Sequence, residues 1–267
     1  MRAVSVGQQC VECIGEGARE AGGTRRGRAG SGSAPGRRRA SGAVVTWTLV
    51  ALNVAVFVAT WVRPGIVNHL EMLGYAAYGP GGPVHGVAAG EWYRLITSAF
   101  VAPATGLSGL GFMDILFNMW ALIFVGPGLE GLLGRVRFLA VYLLSAVGGA
   151  VMYYYLAPQN APAVGASGAI FGLFGAWFVV SRRLRLDSRG IVLLIAINLA
   201  LSFFFHNTIA WQDHIGGLLT GALLTAAYTY APRRNRAAVQ VFATVVVIAV
   251  IAVSVMLRTA QLTGAGL

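Results

Sequence analysis

Long runs of apolar residues, separated by short arginine-rich stretches, fill most of the chain from residue 44 onward. Most runs are close to the length that a helix needs to cross the hydrocarbon core of a bilayer. The pattern predicts seven transmembrane helices, at about 44–62, 112–130, 137–157, 165–181, 190–206, 210–231 and 238–257. The predicted fold class is therefore an all-α, polytopic membrane bundle.

The composition excludes other common protein classes. Charged residues make up 11% of the chain, against about 25% in a soluble domain, so charge cannot cover a water-facing surface. A hydrophobic content of 57% is too high for a disordered protein. Two cysteines are too few for a disulfide-dense secreted scaffold.

The placement of the arginines predicts the orientation. All 20 basic residues are arginine, and most lie between apolar runs, which is typical of membrane topology rather than of a nucleic-acid-binding face. We therefore expect a lipid environment and no nucleic-acid partner. A cytoplasmic N-terminus leaves only Arg63, Arg94 and Arg258 outside. The positive-inside rule thus predicts a multi-pass membrane protein with an external C-terminus.

Two segments lack the apolar pattern of the spans. Residues 1–43 are rich in Gly, Arg, Ser and Ala, which predicts a disordered cytoplasmic tail. Residues 63–111 form a long external connection that contains the aromatic-rich stretch 91–96. This connection either dips into or lies on the outer interface, or it is a plain solvated loop.

Few polar side chains interrupt the predicted spans, and each is a functional candidate because polar groups are costly in a bilayer. They are Asp114, Asn118, Ser167, Asn198, Asp213 and His214. Spans two, four and six all begin at the outer face in the predicted topology. We therefore expect four of these side chains at a similar depth, namely Asp114, Asn118, Ser167 and His214.

Ser167 opens span four within Gly165-Ala166-Ser167-Gly168, whose small residues let a substrate backbone approach the hydroxyl. The free N–H groups at a helix N-terminus suit a developing oxyanion. Taken alone, the Gly168-x-x-x-Gly172 spacing favours a different interpretation, a packing helix with an incidental serine.

His214 lies in span six and precedes Gly217-x-x-x-Gly221, a face that can pack closely on span four. A neutral imidazole near Ser167 could take the hydroxyl proton and return it to a leaving amine. Phe171, one turn after Ser167, could support the ring, and Asn118 could donate to the oxyanion. The alternative is a histidine satisfied by a neighbouring hydroxyl, without catalysis.

Together, these motifs resemble the rhomboid family of intramembrane serine proteases over about residues 44–231. They are Glu91-Trp92-Tyr93-Arg94, Asn118-Met119-Trp120, Gly165-Ala166-Ser167-Gly168, and His214-Ile215-Gly216-Gly217 with Gly221, while Glu130 matches an acidic residue late in span two. The resemblance implies a six-helix protease core over 44–231 and a seventh helix with a short external tail over 232–267. It also implies a location in the bacterial plasma membrane.

The resemblance also implies roles for individual residues. Ser167 is the expected nucleophile, His214 the general base and acid, and Asn118 an oxyanion donor together with the Ser167 N–H. The expected reaction is cleavage of transmembrane protein substrates near their outer end, after a small residue, without metal or cofactor. The rival function is a non-catalytic relative that binds transmembrane segments as a chaperone or sorting factor. A transporter is less favoured because the sequence has no inverted repeat of broken helices.

Two acidic residues near these motifs need interpretation. Asp114 stands where the family often has a histidine, four residues before Asn118. Aspartate favours helix N-termini, so we expect Asp114 to cap span two rather than face substrate. Asp213 adjoins His214 but points about 100° away around the helix. A Ser-His dyad is therefore expected rather than a triad.

Cys10 and Cys13 form half of a four-cysteine zinc pattern. The segment resembles the second half of a zinc ribbon that precedes some actinobacterial rhomboid domains. The first half does not occur in this sequence, which a late choice of start codon would explain. We expect these two cysteines to bind no zinc.

Overall fold

The computed structural model describes residues 2–4, 7–9, 42–77, 79, 81–103 and 110–264. Residues Met1–Arg39 and Ala40–Leu267 form separate units. In the first unit, Arg2–Val4 (β1) pairs antiparallel with Gly7–Gln9 (β2). Cys10 and Cys13 lie outside the described residues, as does most of the predicted tail. The disordered tail and the zinc half-site therefore stay predictions.

Seven long helices make up most of the second unit. They are α1 (Val44–Val62), α2 (Leu110–Leu133), α3 (Arg135–Leu156), α4 (Ser167–Leu184), α5 (Arg189–Phe204), α6 (Trp211–Tyr230) and α7 (Arg236–Thr263). Each helix corresponds to one predicted span, with ends that differ by a few residues. The structure confirms the all-α fold.

The helices differ in how apolar they are. Among the described helices, α1, α2, α3 and α7 are long and apolar enough on their own to cross a membrane, and α5 is apolar but shorter. Most of α4 is buried among its neighbours, and its buried face is rich in glycine and alanine. Small residues are typical of helix contacts within a membrane, which agrees with the lower hydropathy of α4.

Helices α4 and α6 pack against each other through glycine. A Cβ atom on Gly217 would overlap the carbonyl oxygen of Gly168, and a Cβ atom on Gly221 would overlap that of Gly172. Both contacts advance by four residues in each helix, so the helices run in the same direction with their backbones in contact. The small-residue face predicted from the sequence is confirmed.

The end of α2 holds the beginning of α1. The buried carboxylate of Glu130 accepts hydrogen bonds from the backbone N–H groups of Val45 (3.1 Å) and Thr46 (2.8 Å). It also accepts one from the Thr46 hydroxyl at 2.8 Å. A carboxylate at this position satisfies N–H groups that have no partner within their own helix. Glu130 therefore fixes α1 against α2.

The connection between α1 and α2 contains short elements. These are a helix at Ile66–Leu70, the paired strands Ala76–Ala77 (β3) and Val84–His85 (β4), and a helix at Arg94–Thr97. Within the predicted aromatic stretch, Trp92, Tyr93 and Ile96 are exposed, whereas Leu95 is buried. One face of this segment thus presents aromatic and apolar groups outward.

Arg94 ties the connection together from inside. Its side chain is fully buried, and its Nε donates to Glu91 Oε2 at 2.7 Å. Its Nη1 donates to the carbonyl oxygens of Asn68 and Glu71, at 2.9 and 2.8 Å. Charge-assisted bonds of this kind are stronger than neutral ones. Arg94 therefore links two parts of the connection that lie more than twenty residues apart.

The carboxylate of Glu91 is held in its charged form. Partial burial acts to raise its pKa, but hydrogen bonds from the Gly86 N–H, His85 and Arg94 outweigh this effect. The pKa of Glu91 falls from 4.5 to about 2 as a result. The connection therefore depends on an ionised Glu91.

Candidate active site

Ser167 is the first residue of α4 and follows Gly165, whose backbone has a positive φ. Gly165 has φ of 132°, a backbone conformation that strains residues with a side chain, and its N–H donates to the Ser98 carbonyl at 3.0 Å. A Cβ atom at Gly165 would lie 3.5 Å from Ser167 Oγ and 3.6 Å from Asp114 Oδ2. The Ser167 hydroxyl and the Asp114 carboxylate therefore face one small space beside the turn.

His214 is buried in the first turn of α6 and stacks on Phe171. The two rings are nearly parallel, at 12°, with their centroids 4.2 Å apart. Phe171 lies one turn after Ser167 on α4, and Gly168 lies against Gly217 just below. The structure thus places the imidazole beside the first turn of α4, which Ser167 opens.

A second contact to His214 comes from α5. Ser202 Oγ lies 2.7 Å from His214 Nδ1 and also donates to the Asn198 carbonyl at 2.6 Å. Ser202 is 1% exposed and is the one buried residue of α5. Within the described part of the chain, the imidazole makes this one hydrogen bond, and it makes none to Ser167.

The Ser202 contact bears on the alternative raised by the sequence, a histidine satisfied by a neighbouring hydroxyl. Such a hydroxyl is present, but it contacts only Nδ1. The second ring nitrogen, Nε2, is separated from Nδ1 by Cε1 and has no hydrogen-bond partner among the described residues. In a general base, one nitrogen is oriented by a partner and the other exchanges the proton. The contact is therefore compatible with catalysis.

Sequence reasoning missed Ser202 and singled out Asn198 instead. Asn198 is exposed on α5, and its amide donates to the Leu194 carbonyl of its own helix at 2.9 Å. Ser202 follows Asn198 by four residues and so shares its side of the helix. The sequence did contain one indication of Ser202, namely a second polar residue four positions after Asn198 in span five.

Asn118 and Asp114 form a pair on α2. The Nδ2 of Asn118 donates to the Asp114 carbonyl at 2.9 Å and to Asp114 Oδ1 at 3.0 Å. Because α2 begins at Leu110, Asp114 lies within the helix, and the predicted N-cap role is wrong. The helix starts earlier than the apolar pattern indicated, which turns the carboxylate towards Asn118 and Gly165.

Asp213 contacts α4 rather than the imidazole. A Cβ atom on Gly168 would overlap the Asp213 carboxylate, which therefore lies against the first turn of α4. Asp213 also lines a cavity of about 20 Å³ with Ser98, Tyr153 and Gly165, which has room for about one water molecule. No group of three or more His, Cys, Asp and Glu residues in the described part of the chain is arranged to hold a metal ion.

Comparisons with known proteins agree with this architecture. A family model described as the Rhomboid domain matches residues 89–232, which include Asn118, Ser167, Ser202 and His214. The chain is 41% identical over 145 residues to the putative rhomboid protease YdcA of Bacillus subtilis (strain 168), which covers 52% of this chain and 69% of YdcA.

Two further relatives carry similar names. Rhomboid protease GluP of Bacillus subtilis (strain 168) is 33% identical over 187 residues, which covers 68% of this chain and 34% of GluP. Rhomboid protease AarA of Providencia stuartii is 26% identical over 227 residues, covering 73% of this chain and 75% of AarA. With the matched domain and the helical bundle that carries it, this chain belongs to the rhomboid family.

Proposed function

We propose that the protein is an intramembrane serine endopeptidase that works through a dyad of Ser167 and His214. The observation that carries the proposal is the buried imidazole of His214, stacked on Phe171 beside the helix turn that Ser167 opens. The names of the bacterial relatives support protease activity. A buried histidine held at one nitrogen is suited to move a proton at the other.

The proposed reaction has two stages. Ser167 Oγ attacks the carbonyl carbon of the scissile peptide bond while His214 Nε2 takes the hydroxyl proton, and the carbonyl electron pair moves to oxygen. His214 then gives this proton to the leaving amine as the C–N bond breaks, which leaves an acyl-enzyme. In the second stage His214 takes a proton from water while the water oxygen attacks the ester carbonyl carbon. His214 then returns this proton to Ser167 Oγ as the bond between that oxygen and the carbonyl carbon breaks, which releases the carboxylic acid and the free enzyme.

Two donors are proposed for the oxyanion, the backbone N–H of Ser167 and the amide of Asn118. In the present state, Asn118 directs its amide to Asp114. An oxyanion would have to replace the Asp114 carboxylate at this amide. Two negative groups about 5 Å apart repel by roughly 3 kcal/mol at an effective dielectric of 20. Asp114→Asn removes this repulsion, so we expect the variant to keep activity at neutral pH.

We further propose that substrates are transmembrane segments cut near their outer end, with the N-terminus of the enzyme in the cytoplasm. The arginine distribution supports this orientation. Ser167 and His214 both lie in the first turn of their helices, which run in the same direction, and this supports a location near one membrane face. Topology reporters fused after residues 43 and 267 should give opposite signals, and equal signals would contradict the orientation.

Labelling with a fluorophosphonate in detergent tests the dyad. We expect the reagent to modify Ser167, and we expect Ser167→Ala and His214→Ala each to abolish the modification. Ser145→Ala is the matched control, because Ser145 is fully buried in α3 and its Oγ has no hydrogen-bond partner among the described residues. Persistent labelling in His214→Ala, or modification of another serine, would contradict the assignment.

A further inference from the structure

Ser202 contacts His214 from α5, a helix that is exposed along most of its length. The outward side of α5 carries large exposed apolar residues, and Ser202 is the one residue of the helix that is buried. Its hydroxyl is 2.7 Å from His214 Nδ1. The one buried side chain of α5 therefore contacts the proposed general base.

The hydrogen bonds of Ser202 determine where its proton lies. The Ser202 and Asn198 oxygens are 2.6 Å apart, and a carbonyl oxygen can only accept. The hydroxyl hydrogen must lie between these two oxygens, because a pair so close without a hydrogen would repel. Since a hydroxyl has only one hydrogen, Ser202 Oγ can offer His214 only a lone pair.

This arrangement selects one of the two neutral forms of the imidazole. A lone pair on Ser202 Oγ requires a hydrogen on His214 Nδ1, which leaves Nε2 without one. Phe171 fixes the plane of the ring by stacking, and the bond to Ser202 fixes the rotation of the ring within that plane. Together the two contacts define the direction of the Nε2 lone pair.

We propose that Ser202 is a positioning residue for His214, which it holds as the Nδ1–H tautomer with Nε2 free to accept the Ser167 proton. The inference rests on the proposed function. Ser202 acts here as the carboxylate does in a catalytic triad, but with a neutral hydroxyl as the acceptor. A neutral partner suits a site in a bilayer, where an additional buried charge is costly.

Nitrogen-15 NMR of the full chain in detergent micelles, with labelled histidine, tests the tautomer directly. The chain has four histidines, and the spectrum of His214→Ala identifies the signals of His214 by their loss. We expect wild-type His214 to show a protonated Nδ1 and an unprotonated Nε2 at neutral pH. Ser202→Ala should show a mixture of tautomers. A wild-type Nε2–H tautomer would overturn the inference whatever the activity.

Labelling rates give the second measurement. Ser202→Ala should slow fluorophosphonate labelling of Ser167 about tenfold, because a mixture of tautomers and orientations lowers the fraction of competent base. Ser202→Thr keeps the hydroxyl and should label within about threefold of wild type. For peptide cleavage, kcat should fall in Ser202→Ala while KM stays unchanged. Ser145→Ala, which removes an equally buried hydroxyl that makes no hydrogen bond to His214, should label at the wild-type rate.

The outcomes separate this inference from the proposed function. If wild type labels at Ser167 and Ser202→Ala labels equally fast, the dyad stands and the positioning role of Ser202 is wrong. If wild type does not label at all, the proposed function fails, and the NMR spectrum alone then decides the tautomer. If Ser202→Thr is as slow as Ser202→Ala while its melting temperature matches wild type, the hydroxyl is not the group that matters.

Discussion

Helices α4 and α5 both contact His214, but they are held in the protein in opposite ways. Helix α4 is buried over most of its length and touches α6 backbone to backbone through Gly168 and Gly172. Helix α5 has one buried residue, Ser202. The imidazole therefore lies between a tightly packed helix and a loosely packed one.

This difference shows that the two supports of the imidazole have different mechanical properties. Close-packed backbones leave α4 no room to shift, so Phe171 is a fixed support. A helix with few buried contacts opens at low free-energy cost, so the Ser202 contact can break while the rest of the bundle stays folded. In the proposed dyad, proton transfer at His214 should therefore depend on the position of α5. Three tests probe the contrast between the helices, and a fourth concerns Glu91.

The largest expected effect compares the same substitution on the two helices. Leu173 on α4 is fully buried, whereas Leu193 on α5 is exposed. Leu173→Ala should lower the free energy of unfolding by about 2–5 kcal/mol because it leaves a cavity. Leu193→Ala should change it by at most about 0.5 kcal/mol. Unfolding titrations in mixed micelles measure both values, and equal losses would refute the contrast.

Glycine substitutions should give the next largest effect. A methyl group on Gly217 meets the Gly168 backbone, whereas nothing lies within 4 Å of the position that it would take on Gly190 of α5. Gly217→Ala should cost about 1–3 kcal/mol of stability through overpacking, with a loss of activity. Gly190→Ala should be neutral or stabilise by up to about 1 kcal/mol. Thermal melting in detergent compares them, and a tolerated Gly217→Ala would show that α4 and α6 can separate.

Removing the stacked ring should have a smaller effect on stability. Phe171→Leu keeps most of the apolar volume but loses an aromatic contact of about 0.5–1.5 kcal/mol with His214. Labelling of Ser167 should slow, because the ring plane of His214 is no longer fixed. Phe204→Leu on α5, where the side chain is exposed, is the control and should label as wild type does. Unchanged labelling in Phe171→Leu would mean that Ser202 alone orients the imidazole.

The smallest effect concerns Glu91, which lies in the connection between α1 and α2. Its titration limits the pH range in which the stabilities of the helix variants can be compared. The pKa of Glu91 is lowered from 4.5 to about 2 in the folded state, so its contribution to stability is complete above pH 4.5 and is lost as pH falls towards 2. Melting temperatures should therefore show no effect of Glu91 above pH 4.5 and a decline below it. Glu91→Gln should flatten the acid decline, and an unchanged decline would place its cause elsewhere.

The sequence was sufficient to predict the seven helices, because arginine, glycine or proline bounds most of the apolar runs and His206-Asn207-Thr208 separates runs five and six. It also predicted the glycine contacts of α4 with α6 and the position of Phe171 beside His214, since both follow from helical spacing. These features depend on residues within one helix face. Local periodicity is enough to reveal them.

The sequence could not predict features that depend on how a helix is rotated. Helix α5 is apolar on nearly all sides, so its sequence pattern does not indicate which side faces the protein. The pattern therefore could not predict that Ser202 contacts His214. The predicted cap at Asp114 was wrong for a related reason. The structure extends α2 to Leu110, before the predicted start of the apolar run, so Asp114 lies inside the helix.

The carboxylate of Glu130 at the start of α1 has a consequence for the order of biosynthesis. Thr46 and Glu130 are 84 residues apart in the chain, so α1 leaves the ribosome long before its partner exists. At about 5–20 residues per second, the interval is roughly 4–17 s. During that time the first N–H groups of α1 can bond only to water or lipid headgroups. The insertion of α2 is thus the event that completes α1.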